Sequence, residues 1–193
     1  MTRIIAGAAR GRRLAVPAGD VTRPTSDRVR EAVFSALEHR LGGWRGVVVL
    51  DLFAGSGAMG LEAASRGAAQ VLLVEQDRRA LTTLRANAAV VDVTGVTVRP
   101  ADAWRMGPRE EVGGLTEPAG LVLLDPPYRE PNDRLGGLLV QLGTKGWLTP
   151  TAWALAERPA HSAQFRWPEG WDQVMDRRYG ATRIHVGRLV ASP

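Results

Sequence analysis

The chain has 193 residues, 45% of them hydrophobic and 23% charged, with no cysteine and a formal net charge of +5. That composition suits a single globular domain with a sizeable core, and it excludes disulfides and thiolate metal sites. No apolar run approaches the roughly 18 residues of a membrane span, and residues 1–7 lack the apolar core of a signal peptide, so the cytoplasm is the default compartment and no membrane partner is expected.

The charge is unevenly placed. Seven of the 25 basic residues (Arg3, Arg10, Arg12, Arg13, Arg23, Arg28 and Arg30) but only two of the 20 acidic ones (Asp20 and Asp27) lie in residues 1–30, which leaves 18 of each elsewhere. Such a block is an electrostatic footprint for phosphate backbones. Lys145 is the only lysine, so a codon bias toward arginine is evident, but it does not explain why acids are scarce here.

Residues 3–8 and 12–16 read as two short strands around the turn Ala9-Arg10-Gly11, with Gly11 at a positive φ. A helix starts at Ser26 or Asp27, either of which can cap it. Val29, Ala32, Val33, Ala36, Leu37 and Leu41 would form its packed face, turning Arg28, Arg30 and Glu31 elsewhere, and Gly42-Gly43 ends it. The first core strand covers residues 47–53 and runs into Ala54-Gly55-Ser56-Gly57-Ala58-Met59-Gly60 and a small-residue helix to Arg66-Gly67. Strand, glycine loop and helix in that order let backbone N–H groups approach a ligand at a helix N-terminus.

A second buried strand, residues 71–75, ends in Glu75, which lies at a spacing suited to a carboxylate holding the hydroxyls of a ribose. A helix from Asp77 to about Val90 and a strand at 96–98 follow, with Asp102 just beyond, either near an adenine amino group or capping a helix. Residues 105–119 form a charged connection. Leu121-Val122-Leu123-Leu124 then has the continuous apolar pattern of a central strand, and it stops at Asp125-Pro126-Pro127-Tyr128. A short helix over 135–142, a strand over 152–157 and a terminal hairpin of 171–178 with 183–190 complete the chain. Alternating β and α segments argue a doubly wound sheet, in which ligands bind at the carboxyl ends of the strands.

A carboxylate, a rigid turn and an aromatic ring presented together suit activation of an exocyclic amine on a flat base. Asp125 and the Pro126 carbonyl could each accept one N–H, while Tyr128 stacks on the ring. The tetrapeptide resembles the Asp/Asn-Pro-Pro-Tyr motif of amino-group methyltransferases that use S-adenosylmethionine. By itself it does not choose among adenine N6, cytosine N4, guanine N2 and a protein glutamine. The glycine loop admits a nicotinamide dinucleotide or S-adenosylmethionine, and Asp51, four residues before Gly55, suits the ammonium of a methionine better than a phosphate. His39, His161 and His185 form no ligand set, so no metal is expected.

Arg3-Ile-Ile-Ala-Gly, Arg10-Gly-Arg-Arg-Leu, Arg23-Pro-Thr-Ser-Asp-Arg-Val-Arg-Glu-Ala-Val-Phe, Asp51-Leu-Phe-Ala-Gly-Ser-Gly, Val74-Glu-Gln-Asp and Asp125-Pro-Pro-Tyr occur in that order. Together they resemble the RsmD family, bacterial 16S rRNA guanine-N2 methyltransferases. The resemblance implies a Rossmann-like α/β sheet of seven strands with the last one antiparallel, preceded by a basic N-terminal β-hairpin extension (1–24) to a methyltransferase domain (25–193). It implies methylation of guanine 966 at N2, within the 30S subunit or its protein-bound precursor, by a monomer. Asp51, Phe53, Ala54, Gly55, Ser56 and Gly57 would contact S-adenosylmethionine, Glu75 its ribose, and Gln76, Asp102 and Ala103 its adenine. Asp125, Pro126, Pro127 and Tyr128 would orient the guanine amine, and the seven arginines named above would meet RNA. The rival readings are a DNA adenine-N6 methyltransferase and a release-factor glutamine methyltransferase.

Overall fold

The computed structural model describes residues 2–17 and 26–190, so the expected contact at Arg23 lies outside the described residues. The chain opens with a short hairpin, β1 (Thr2–Arg3) paired antiparallel with β2 (Arg13–Leu14). These ladders are shorter than the expected strands, because Glu62 takes the amides of Ile5 and Ala6 at 2.7 and 3.1 Å. Gly11 has a φ of 83°, as the turn requires. Gly7 is needed for a different reason: a Cβ there would sit 1.8 Å from the Ser65 carbonyl oxygen.

Helix α1 (Asp27–Leu41) starts at Ser26, whose side chain accepts from the Val29 amide at 3.3 Å, and ends at Gly42 in the left-handed region. Its packed face differs from the expected one. Arg30, Val33, Phe34 and Leu37 are buried, whereas Ala32 is exposed. The cause is electrostatic. Glu62 is fully buried on the neighbouring helix, and an unpaired carboxylate there would be costly, so Arg30 turns inward at 3.9 Å from it and Arg66 pairs with it at 2.7 Å.

A seven-stranded sheet forms the body. β3 (Val48–Leu52), β4 (Gln70–Glu75) and β6 (Ala119–Leu124) are central because their unbroken apolar runs serve both faces. With β5 (Val96–Pro100), β7 (Leu148–Pro159), β8 (Trp171–Tyr179) and β9 (Thr182–Leu189), the order is β5-β4-β3-β6-β7-β9-β8. The final strand, β9, runs antiparallel to both neighbours, and the other adjacent pairs are parallel.

The hairpin, α1, α2 (Ala58–Arg66) and α3 (Arg78–Val91) cover one face, where Val49, Val71, Leu73, Leu121 and Leu123 point. On the other face, α5 (Asn132–Thr144) packs with the chain around Leu115 against Leu50, Leu72 and Val122. The 105–119 connection is not all loop: it holds the short helix α4 (Arg109–Val112), following a 3-10 turn at Ala103–Arg105. Among the described residues no helix is long and apolar enough to cross a membrane.

Candidate active site at the strand-order reversal

Connections from β3 run one way across the sheet to β4 and β5, and β6 lies on the other side of β3. The crevice between β3 and β6 is therefore the place where an open sheet of this kind accommodates a ligand. Register decides what is presented there. Leu52 pairs with Val74 on one side and Leu124 on the other, so the residues just beyond these strands emerge at one level. Side-chain alternation adds a direction. Asp51 and Glu75 continue the odd-numbered series that faces α1–α3, and Asp125 is next in the series of Leu121 and Leu123.

Asp51 is 2% exposed, and its Oδ2 accepts from the Gly60 amide at 2.8 Å. Burial pushes its carboxyl up to about 7, opposed by the Gly60 hydrogen bond and reinforced by the charge of Glu75. Gly55 and Gly57 have φ of 54° and 82°, and Phe53 is also left-handed at 65°. A non-glycine residue rarely adopts that conformation, so the β3 exit is strained where the loop begins. α2 starts at Gly57 without a side-chain cap. A Cβ on Gly57 would come within 2.4 Å of Leu84 Cδ1.

Glu75 is partly exposed, and its oxygens accept from the amides of Gly55, Gln76 and Asp77 at 2.8, 2.7 and 2.8 Å. It thus ties the β4 exit to the glycine loop. Asp102 caps the 3-10 turn, accepting from the Trp104 amide at 3.0 Å, and Ala103 is buried beneath it. Gln76 is exposed at the β4 exit, and Ala54 and Ser56 lie within the loop, where Asn87 of α3 donates to the Ser56 carbonyl at 2.8 Å.

Sequence reading missed a neighbouring aromatic group. The rings of Phe53 and Trp104 stand 5.0 Å apart, and the Arg134 guanidinium lies 3.9 Å from the Trp104 ring centre. The left-handed backbone of Phe53 has no signal in residue type, and Trp104 and Arg134 are too distant in sequence for periodicity to pair them.

In the tetrapeptide, Asp125 and Pro127 are exposed and Pro126 is buried. The Glu130 amide closes the turn on the Pro127 carbonyl at 2.9 Å. Tyr128 is 38% exposed, so its ring is available at the surface. Burial raises its phenol above the ordinary range, as do the charges of Glu157 and Asp125, while a hydrogen bond with Thr182 and the charge of Arg158 oppose the rise.

The arginine block divides. Arg30 has no exposed surface and pairs with Asp27 at 3.0 Å, which removes it from the set that can meet RNA. Arg3 is exposed and pairs with Asp27 at 3.3 Å. Arg12 donates to the Val90 and Val91 carbonyls at 2.6 and 2.5 Å, at the C-terminal end of α3. Arg10, Arg13 and Arg28 are exposed, and their side chains make no ion pair or hydrogen bond among the described residues. Arg10, Arg28 and Arg66 line a groove of about 520 Å³ floored by Ile5 and Ala32. The amides of Ala8 and Ala9 bond to Ser65 near the end of α2, so the hairpin tip lies at the opposite end of the sheet from Asp125. Among the described residues no group of three His, Asp or Glu could hold a metal.

Comparison with known proteins agrees with this architecture. The family model for conserved hypothetical protein 95 matches residues 2–188. YlbH of Bacillus subtilis is 35% identical over 191 residues, covering 95% of this chain and 97% of that protein. Ribosomal RNA small subunit methyltransferase D of Escherichia coli K12 is 35% identical over 178 residues, covering 88% of this chain and 80% of its own. The solved structure of yhhF from Escherichia coli superposes with a TM-score of 0.79 at 33% identity, covering 98% of each chain. With the family model spanning nearly the whole sequence and such relatives matching it end to end, the chain belongs to the RsmD family of rRNA methyltransferases.

Proposed function

We propose that this protein transfers a methyl group from S-adenosylmethionine to the exocyclic N2 of a guanine in 16S rRNA, at guanine 966 by family analogy. The substrate would be the 30S subunit or its protein-bound precursor, in the cytoplasm, and the enzyme a monomer. The observation that carries the reading is the register at the β3/β6 crevice, which brings Glu75 and Asp125 out at one level, two residues beyond the buried Asp51.

The residues present fit S-adenosylmethionine. Asp51, buried and held by the Gly60 amide, has no cation paired with it among the described residues, and the ammonium of a methionine moiety would supply one. A Cβ at Gly57 or Gly60 would run into Leu84 or Leu73, so glycine lets the loop pack closely at the start of α2, where backbone amides can meet a ligand. Glu75 accepts three amides, and a carboxylate has about four acceptor sites, so one ribose hydroxyl can add to it. Phe53, Ala54, Gly55, Ser56 and Gly57 would line the cofactor, with Gln76, Asp102 and Ala103 on its adenine side.

S-adenosylmethionine supplies an electrophilic methyl group on a sulfonium that departs as a neutral thioether without acid assistance. Asp125 accepts one N–H of the guanine amine and the Pro126 carbonyl the other, which turns the nitrogen lone pair out of conjugation. As the N–C bond forms, the S–C bond breaks, and the surplus amine proton passes to Asp125 or to water. Positioning then supplies most of the acceleration. Tyr128 stacks on the base, and the buried Pro126 keeps the turn from moving. Arg3, Arg10, Arg13 and Arg28, with Arg23, hold the RNA backbone through charge.

Methyl transfer from labelled S-adenosylmethionine tests the reading, with 30S subunits lacking the modification, naked 16S rRNA and duplex DNA as acceptors. N2-methylguanosine from 30S is the expected product. Label in N6-methyladenine, in DNA or in a protein glutamine would replace the substrate while leaving the cofactor site in place.

A further inference from the structure

Arg158 is the residue that the activity described above does not use and that the fold has buried directly behind the tetrapeptide. It lies one residue from the end of β7 and is 2% exposed. Leu124 pairs with Ala156, so continuing the parallel register brings Arg158 alongside Pro126. Its guanidinium reaches three points from the last residue of the tetrapeptide to the start of α5. Nε donates to Asn132 Oδ1 at 2.8 Å, and Nη2 donates to the Tyr128 carbonyl at 3.3 Å and to the Glu130 carbonyl. Nη1 is buried without a hydrogen-bond partner among the described residues.

A neutral amide could staple a loop through its carbonyls. A buried cation is a costly way to do so, unless its charge is used as well. Burial disfavours the Arg158 charge, and of the groups that oppose this, Asp125, which the β6/β7 register brings beside Glu157, acts ahead of Glu130 and Tyr128. On β9 its register partner is Arg183, which pairs with Asp176 at 2.6 Å, and His185 feels its charge, while its β7 neighbour Glu157 acts on Tyr128.

We infer that Arg158 is a positioning residue for methyl transfer: its buried fork fixes the Tyr128–Asn132 segment, and its positive charge holds Asp125 as the carboxylate that receives the substrate amine. Fork and charge can be separated by substitution. Arg158→Lys keeps the charge and loses the fork, Arg158→Gln keeps a donor and loses the charge, and Arg158→Met loses both. The inference rests on the assignment of Asp125 to the acceptor amine, though not on which base carries that amine.

The experiment measures kcat, KM, cofactor Kd and pH profile for the three variants on whichever acceptor the wild-type protein methylates, with hydrogen exchange of amides 125–134. Arg158→Gln is expected to lower kcat about 30-fold and to move its acid limb up by about one pH unit, with cofactor Kd within about threefold. Arg158→Lys restores the acid limb but not the rate. Arg158→Met shows both defects and faster exchange in the loop, while the Gly55–Gly60 amides stay protected. His185→Gln with an unmoved acid limb, measured at saturating cofactor so that the titration of Asp51 does not enter, assigns that limb to Asp125. If Arg158 variants do not fold, Asn132→Ala, at the half-buried start of α5, removes one arm of the fork and should speed loop exchange alone. An acid limb that stays in place in Arg158→Gln, or cofactor affinity that falls in parallel with kcat, makes Arg158 merely structural and overturns the inference. A wild-type protein that methylates something other than rRNA overturns the substrate assignment, while the exchange and acid-limb results still decide the role of Arg158.

Discussion

The Gly60 amide donates to Asp51 Oδ2 at 2.8 Å across the loop that carries Gly55 and Gly57. This bond joins the end of β3 to the first turn of α2 and fixes the path of the glycine loop between them. It also explains why position 60 is glycine. A Cβ there would lie 2.2 Å from Leu73 Cδ2 and 2.8 Å from that same carboxylate oxygen.

Gly60→Ala should therefore destabilise the protein by about 1–3 kcal/mol, the usual cost of overpacking, and weaken S-adenosylmethionine binding at least tenfold. Thermal melting and calorimetry would read the two effects. A variant that melts and binds like wild type would mean that Leu73 and Asp51 move aside without cost.

Asp51 should make stability fall as pH rises. Its carboxyl has a folded value of about 7 against an ordinary 3.8. Between those values the folded state keeps a proton that the unfolded chain has lost, so stability declines across that window, by up to roughly 4 kcal/mol. Urea unfolding at pH 5 and pH 8 should show the decline in wild type and a flatter profile in Asp51→Asn. Cofactor affinity should rise over the same window as the carboxylate forms, and equal pH slopes in the two proteins would refute the buried-acid account.

Asp125→Ala should abolish turnover while cofactor Kd stays within about threefold, because under the proposed function the exposed carboxylate meets the acceptor amine and not the cofactor. Collapse of cofactor affinity would move Asp125 into the cofactor site.

The arginines should separate into two classes. Arg30→Ala removes one of the two cations beside the buried Glu62 carboxylate, leaving Arg66, and should cost about 1–3 kcal/mol. Arg12→Ala removes the cation at the end of α3 and should cost about 0.3–1 kcal/mol. Arg10→Ala combined with Arg28→Ala should leave melting nearly unchanged, weaken 30S binding and reduce its salt slope by about two. A salt slope equal to wild type would take the groove out of RNA binding.

Much of the crevice could be read from the chain itself. The apolar runs ending at Asp51, Glu75 and Asp125 identify three central strands, since only a sheet covered on both faces favours such runs. Glycine at 55, 57 and 60 and proline at 126 and 127 mark backbone that must be tight or rigid. A helix beginning at Asp77 was legible, and the structure makes Asp77 its cap, accepting from the amides of Arg79 and Ala80 at 2.9 Å.

What the sequence determined by itself was this local grammar: strand ends, the glycine loop, the proline turn and their order, all set by backbone preference and burial over a few residues. The tertiary structure alone decided which charges face water and which support the site. Arg30 and Arg28 differ by two positions, yet Glu62 on another helix draws only Arg30 inside. Arg158 looks like one more surface arginine until β7 pairs with β6 and brings it against the Tyr128 and Glu130 carbonyls. Phe53 meets Trp104, and Trp104 meets Arg134, only after β3, β5 and β6 end at a common edge. Each of these contacts depends on a partner distant in the chain, and composition and periodicity carry no information about such partners.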